Sequence, residues 1–330
     1  MNVDGDWEQG VRHFIIYLPA SVKRWVVWTE RQSHEKIRNA LLSELPILHS
    51  FVLGDTPASL VGEVARKYAD DPDTGFIGFE MKDVHAVHRY CDYRDAFGYF
   101  SSWLPSRVKL CLDVSDRVFS TLFAEDPHAV AARCRETHHR VQKESQLTFC
   151  APDSSAPLNF DCEGRDWIIY DGIQDWSDYG LPIGEVACLP SDVSGVLAVE
   201  GWIIGTIPFG LKYPIVRQGE LSLEFMNGEV RRIMGTNTAL CSDLETALER
   251  VPGLRVVGEL GLGQSLAVVD AVRTTRVARR WYERHYGMHI GLGAELPETS
   301  ERDQRLTSHH LDLVLSRGSL VGQTEKVLEW

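Results

Sequence analysis

The hydrophobic rhythm of this chain changes near residue 151, which limits the folds open to it. Before that point, segments with helical and strand periods alternate. Residues 34–45 have helical spacing and stop at Pro46, and residues 47–53 then read as a buried strand. Residues 57–70 open with Pro57 in a first helical turn and carry Leu60, Val61, Val64 and Ala65 on one face. Residues 76–81 are short and apolar, residues 126–145 form a long amphipathic pattern, and residues 147–150 are strand-like. Such alternation predicts an α/β domain with a mostly parallel sheet. A Pro/Ser/Asp stretch at 152–157 marks the expected boundary, giving domains 1–151 and 152–330.

The second half is richer in strands, as in an α+β domain. Residues 166–170 read as a strand, and residues 193–207 as a long one broken at Gly201 and Gly205. Asn227-Gly228 between residues 221–226 and 229–234 predicts a hairpin, because both positions of a type I′ turn need positive φ. A capping box, Ser242 with Glu245, predicts a helix over 242–251 ended by Gly253. Residues 255–259 return as a strand, residues 265–286 read as one long helix, and residues 288–292 and 310–315 as strands.

Composition narrows the partners. The 330 residues hold 47 acidic and 34 basic side chains, a formal charge of −13. That balance argues against a nucleic-acid backbone or an anionic membrane surface and fits a small-molecule or peptide substrate. No run of 18 apolar residues occurs, and residues 1–10 have neither a basic nor an apolar region of a secretory signal. Seven widely spaced cysteines without a CxxC read as reduced thiols, so a cytoplasmic location is expected.

The chemistry-bearing residues cluster in the second half. Glu185 follows Leu181-Pro-Ile-Gly, and Glu259 sits in Gly258-Glu-Leu-Gly-Leu-Gly263. His289 sits in Met288-His-Ile-Gly-Leu-Gly293, and His310 and Asp312 flank Leu311. On a strand, residues i and i+2 share a face, so His310 and Asp312 converge while Leu311 points into a core. An imidazole beside a carboxylate suits a divalent metal. Two histidines and one carboxylate form the set used for non-haem Fe(II), and further carboxylates would admit a second metal. A weaker candidate is Asp83, His85, His88 and Cys91 on one helix face. No GxSxG elbow, P-loop or dinucleotide fingerprint occurs.

These blocks, in this order and with the terminal Leu328-Glu-Trp330, resemble the M29 (thermophilic) aminopeptidase family. They also resemble its shorter relatives, which include 2,5-dihydroxypyridine 5,6-dioxygenase. The resemblance covers about residues 126–330. It implies an M29 aminopeptidase-like fold, often dimeric, with the metal site in the C-terminal domain. It also implies that Glu185, Glu259, His289, His310 and Asp312 are the ligands. Two positions depart from the peptidase pattern: Arg284 stands where a glutamate is expected, with Glu283 one place off, and Leu296 stands where a tyrosine is expected. Those departures disfavour a dinuclear peptidase site. The expectation is a homodimeric, mononuclear Fe(II) dioxygenase acting on a small hydroxylated aromatic or N-heterocycle. His289, His310 and Asp312 would bind the metal, with Glu259 as a fourth ligand or base. The alternatives are an aminopeptidase or amidase with two Zn, Co or Mn ions held by all five residues, and a non-catalytic peptide-binding protein.

Overall fold

The computed structural model describes residues 6–30, 33–53, 55–80, 105–152, 156–173, 180–205, 209–273, 275, 279–293 and 309–330. The Asp83/His85/His88/Cys91 candidate lies outside the described residues. The chain divides into two compact units, residues 1–129 with 172–183 and residues 130–171 with 184–330.

The first unit is built on a parallel sheet. Its strands are β1 (Arg24–Glu30), β2 (Ile47–Leu53), β3 (Thr74–Glu80) and β4 (Val108–Leu112), in the order β2-β1-β3-β4. Helices α1 (Trp7–Ile16), α2 (Glu35–Glu44), α3 (Ala58–Lys67) and α4 (Asp116–Leu122) accompany it. A continuous apolar run in β1 means burial on both faces, and Trp25, Val26, Val27, Trp28 and Thr29 are all buried. Val26, Trp28, Phe51 and Phe76 pack against Val61, Val64 and Ala65 of α3, the helix face read from the sequence. Each of these valines and phenylalanines contributes about 1.5–3 kcal/mol of burial free energy.

A helix, α5 (Pro127–Val141), leads into the second unit, whose strands form one large antiparallel sheet. These are β5 (Gln146–Cys150), β6 (Leu158–Asp161), β7 (Ile168–Tyr170), β8 (Glu185–Cys188), β9 (Asp192–Gly205), β10 (Val216–Met226), β11 (Glu229–Met234), β12 (Val257–Gly263), β13 (Gly287–Gly293), β14 (His310–Leu315), β15 (Ser319–Gly322) and β16 (Lys326–Glu329). The order is β16-β15-β5-β6-β9-β14-β13-β12-β8-β7, with β10 on β9 and β11 on β10. Residues 152–157 fall between the paired strands β5 and β6. The hairpin forms as read: Asn227 and Gly228 have φ of 53° and 70° between β10 and β11. β9 is not broken at Gly201. It runs on to Gly205, pairing β6 and β10 early and β14 late.

Two helices differ from their reading. α7 (Thr238–Arg250), which follows the short α6 (Phe209–Lys212), starts before Ser242 because the Asn237 side chain caps it, accepting from Leu240 N–H at 3.1 Å. Glu245 is bound by Arg255 instead of closing a capping box. Residues 265–286 are not one helix but α8 (Leu266–Val272) followed by a 3₁₀ turn, Arg280–Arg284. A continuous helix would separate residues 265 and 286 by about 30 Å. In the structure they touch: Ser265 N–H donates to Arg284 O at 3.0 Å, and Tyr286 N–H to Ser265 O at 3.1 Å. Pairing at a distance in sequence overrides helical periodicity there.

His34 shows how burial sets acid sensitivity in the first unit. Its Nδ1 accepts from Glu30 N–H at 2.9 Å, and its Nε2 lies 2.8 Å from Val114 O, so Nε2 carries the proton and donates. A second proton on Nδ1 would face the Glu30 N–H donor. Burial pushes the imidazole down to about 4, against which the Val114 bond works. The unfolded chain therefore takes up the proton first. Stability from this group is complete above about pH 6.5 and falls as pH drops towards 4, by on the order of 3 kcal/mol. Urea unfolding at pH 7 and pH 4.5 should show this loss, and His34→Gln should flatten that part of the profile. An unchanged slope in the variant would contradict it.

Candidate metal centre

Four neighbouring strands, β8, β12, β13 and β14, carry every ligand-type residue singled out in the second half. Side chains alternate between faces of a strand. Val186, Cys188, Leu260, Leu262, Met288, Ile290, Leu292, Leu311 and Leu313 all enter the core of the second unit. Glu185, Glu259, His289, His310 and Asp312 occupy the opposite face.

The register sets each of these five residues against a glycine. Glu185 pairs with Gly263, Glu259 with Gly291, and His289 with Gly261. Asp312 pairs with Gly291, and His310 with Gly293. The glycines make the room. A Cβ on Gly261 would lie 2.2 Å from His289 Nε2 and 2.7 Å from Glu185 Oε1. One on Gly291 would lie 2.7 Å from His310 Cε1 and 2.9 Å from Glu259 Cβ. Gly261 and Gly291 therefore leave space over the sheet for imidazoles and carboxylates, while Leu262 and Leu292 fill the core.

Two three-residue groups result, each with ligand atoms within 4.8 Å of one another: Glu185, Glu259 and His289, and Glu259, His310 and Asp312. Glu259 belongs to both. His289 Nε2 lies 3.0 Å from Glu185 Oε1 and 3.7 Å from Glu259 Oε1. His310 Nε2 lies 3.5 Å from Glu259 Oε2 and 2.5 Å from Asp312 Oδ1. The two histidines thus fall in different groups, bridged by Glu259. His310 is 25% exposed, whereas the other four side chains are 9% or less, so the centre opens on the His310 side.

The electrostatics are those of a carboxylate cluster that attracts cations. Burial works against protonated His310, yet Asp312, Glu259 and Glu283 together lift it to about 10. Burial also opposes the charge on Asp312, but His310 and His289 outweigh it and hold the carboxyl low. Glu185 is likewise held low against its burial, by Arg284 and then His289. Glu283 goes the other way: burial, with Asp312 and Glu185 nearby, raises it to about 7 despite Arg284.

A divalent ion fits this donor set. Glu185 Oε1 and Asp312 Oδ1 are buried with no hydrogen-bond partner, although a ring nitrogen stands close to each. Buried polar atoms are rarely left so, and a bound ion satisfies them. Imidazole nitrogen with carboxylate oxygen, and no thiolate in either group, matches Fe(II), Mn(II), Co(II) or Zn(II).

Arg284 adds a fixed charge. It closes the 3₁₀ turn, its side chain is 11% exposed, and Nη1 donates to Glu185 Oε2 and lies 3.2 Å from Glu283 Oε1. Trp202, opposite Val314 on β9, meets Tyr282 edge-on at 5.3 Å and His285 at 5.4 Å, which packs the turn against the sheet. From the sequence, Arg284 was visible only as a departure from the peptidase pattern, and Trp202 carried no signal beyond being aromatic.

No protein-family model matches the chain, and no curated protein sequence matches it. Among solved structures, it is similar to 2,5-dihydroxypyridine dioxygenase from Pseudomonas putida KT2440, with a TM-score of 0.66 at 12% identity. The match covers 98% of this chain and 94% of that one. The two share a fold. No described helix is long and apolar enough to cross a membrane.

If the glycines make the room, one methyl group should close the site. Gly291→Ala should weaken Mn(II) binding at least about tenfold, about 1.4 kcal/mol, with far-ultraviolet circular dichroism unchanged. Gly164→Ala, where a Cβ meets nothing within 4 Å but φ is +68°, should cost some stability and leave Mn(II) affinity unchanged. Full Mn(II) affinity in Gly291→Ala would contradict this packing.

Proposed function

We propose that this chain is an Fe(II)-dependent dioxygenase that acts on a small hydroxylated aromatic ring or N-heterocycle. The observation that carries the reading is the buried, glycine-cleared pair of imidazole–carboxylate groups on one sheet face, open at His310. The fold shared along nearly the full length with 2,5-dihydroxypyridine dioxygenase supports the substrate class.

In this reading, Glu259, His310 and Asp312 hold the ion, with His289 across Glu259 from it. An iron(II) ion so held would supply redox chemistry and open coordination positions. Asp312 supplies buried negative charge, and its Oδ1 lies 2.5 Å from His310 Nε2, so that both atoms face one ion position. Glu259 ties the two imidazoles into one arrangement. Glu283 adds a further carboxyl beside the site, raised to about 7 before an ion binds. The leucine-packed sheet beneath keeps these groups in place and excludes water from that side.

A second reading has one specific observation in its favour. Glu259 shared between two groups is what a bridged pair of Zn, Co or Mn ions in an aminopeptidase or amidase would use. Oxygen uptake separates the two. With Fe(II) loaded anaerobically, hydroxylated pyridines and catechols should give substrate-dependent oxygen consumption. Asp312→Ala should lose at least about a hundredfold of that rate, about 2.7 kcal/mol. Oxygen-independent release from aminoacyl amides with Zn(II), Co(II) or Mn(II), and no oxygen uptake with iron, would overturn the first reading in favour of the second.

A further inference from the structure

We infer that the Arg284 guanidinium occupies the cation position of the Glu185 group, so that the centre takes one divalent ion, held by Glu259, His310 and Asp312. The inference rests on the reading of this sheet face as a metal centre.

The geometry makes the two groups unequal. In the Glu185 group one carboxylate oxygen is already used, since Arg284 Nη1 donates to Glu185 Oε2. That leaves Oε1, Glu259 and His289 to serve a second ion beside a buried positive charge. Guanidinium charge persists at any accessible pH. The Arg284 charge also reaches Asp312, but more weakly than it acts on Glu185, which it bonds directly, and His310 is the exposed member of the second group. A divalent ion therefore has an entry path there and the ligand set that Arg284 affects less.

Charge balance agrees. Glu185, Glu259 and Asp312 are three buried carboxylates, and Arg284 neutralises one of them. One divalent ion balances the remaining two. Glu283 is the fourth carboxyl, 26% exposed beside Arg284, so water shares in solvating its charge. A second divalent ion would add uncompensated positive charge against a fixed guanidinium, and buried like charges repel strongly.

Arg284 is also held as a structural element. Its turn is fixed by the backbone bond from Ser265 N–H to Arg284 O and by Trp202 against Tyr282 and His285. The guanidinium is thus placed by the fold and does not depend on an ion to place it.

The test is metal stoichiometry, read without reference to catalysis. The full chain is dialysed anaerobically against Mn(II) and analysed for metal per chain, with electron paramagnetic resonance on the same samples. The native chain should hold one ion with an uncoupled six-line spectrum. Asp312→Ala should hold none. Arg284→Met should hold two, with the spectrum broadened by spin coupling. Two ions in the native chain, one ion retained in Asp312→Ala, or a folded Arg284→Met holding one would each overturn the inference and leave the metal centre itself standing. No bound ion in any of the proteins would remove the metal centre and the inference together. Should Arg284→Met fail to fold, the native spectrum and Asp312→Ala still decide, because neither depends on that variant.

Discussion

Steric exclusion across the strands β8, β12, β13 and β14 governs the second unit. A polar side chain as large as imidazole fits over a sheet face only if its cross-strand neighbour yields the volume. Here Gly261 yields it to His289, and Gly291 to His310 and Glu259. Register therefore matters more than residue identity alone. A one-residue slip of β13 against β12 would set Ile290 and not His289 against Gly261 and turn His289 into the leucine-lined core. The core and the site are two faces of one pattern, and each stabilises the register that the other needs.

The electrostatics follow from that placement. Four of the five ligand-type side chains are buried, and desolvation alone would neutralise them. Glu185 and Asp312 remain charged because opposite charges are packed beside them: Arg284 on Glu185, and protonated His310 beside Asp312. A bound divalent ion would take over the role of the protons on the imidazoles, as ligands must shed protons to bind metal. Arg284 differs from those protons in being fixed, which makes it the asymmetric element of an otherwise paired arrangement.

Much of this was legible in local sequence pattern, because strand alternation and turn chemistry act over a few residues. The HxD spacing placed His310 and Asp312 on one face, the Asn227-Gly228 pair marked its hairpin, and the parallel sheet of the first unit followed from alternating periods. What was not legible depends on distant pairing. The periodicity of residues 265–286 is helical, yet Ser265 binds Arg284 and Tyr286. The role of Arg284 is set by Glu185, 99 residues earlier. The division of the two histidines between groups depends on Glu259 standing between them, which spacing along single strands cannot reveal.

The most direct test of the central claim is an anomalous difference map from crystals grown anaerobically with Fe(II). One peak is expected, within bonding distance of Glu259, His310 and Asp312, with the Arg284 guanidinium still on Glu185. A peak elsewhere in the chain, or a site formed without these side chains, would contradict it.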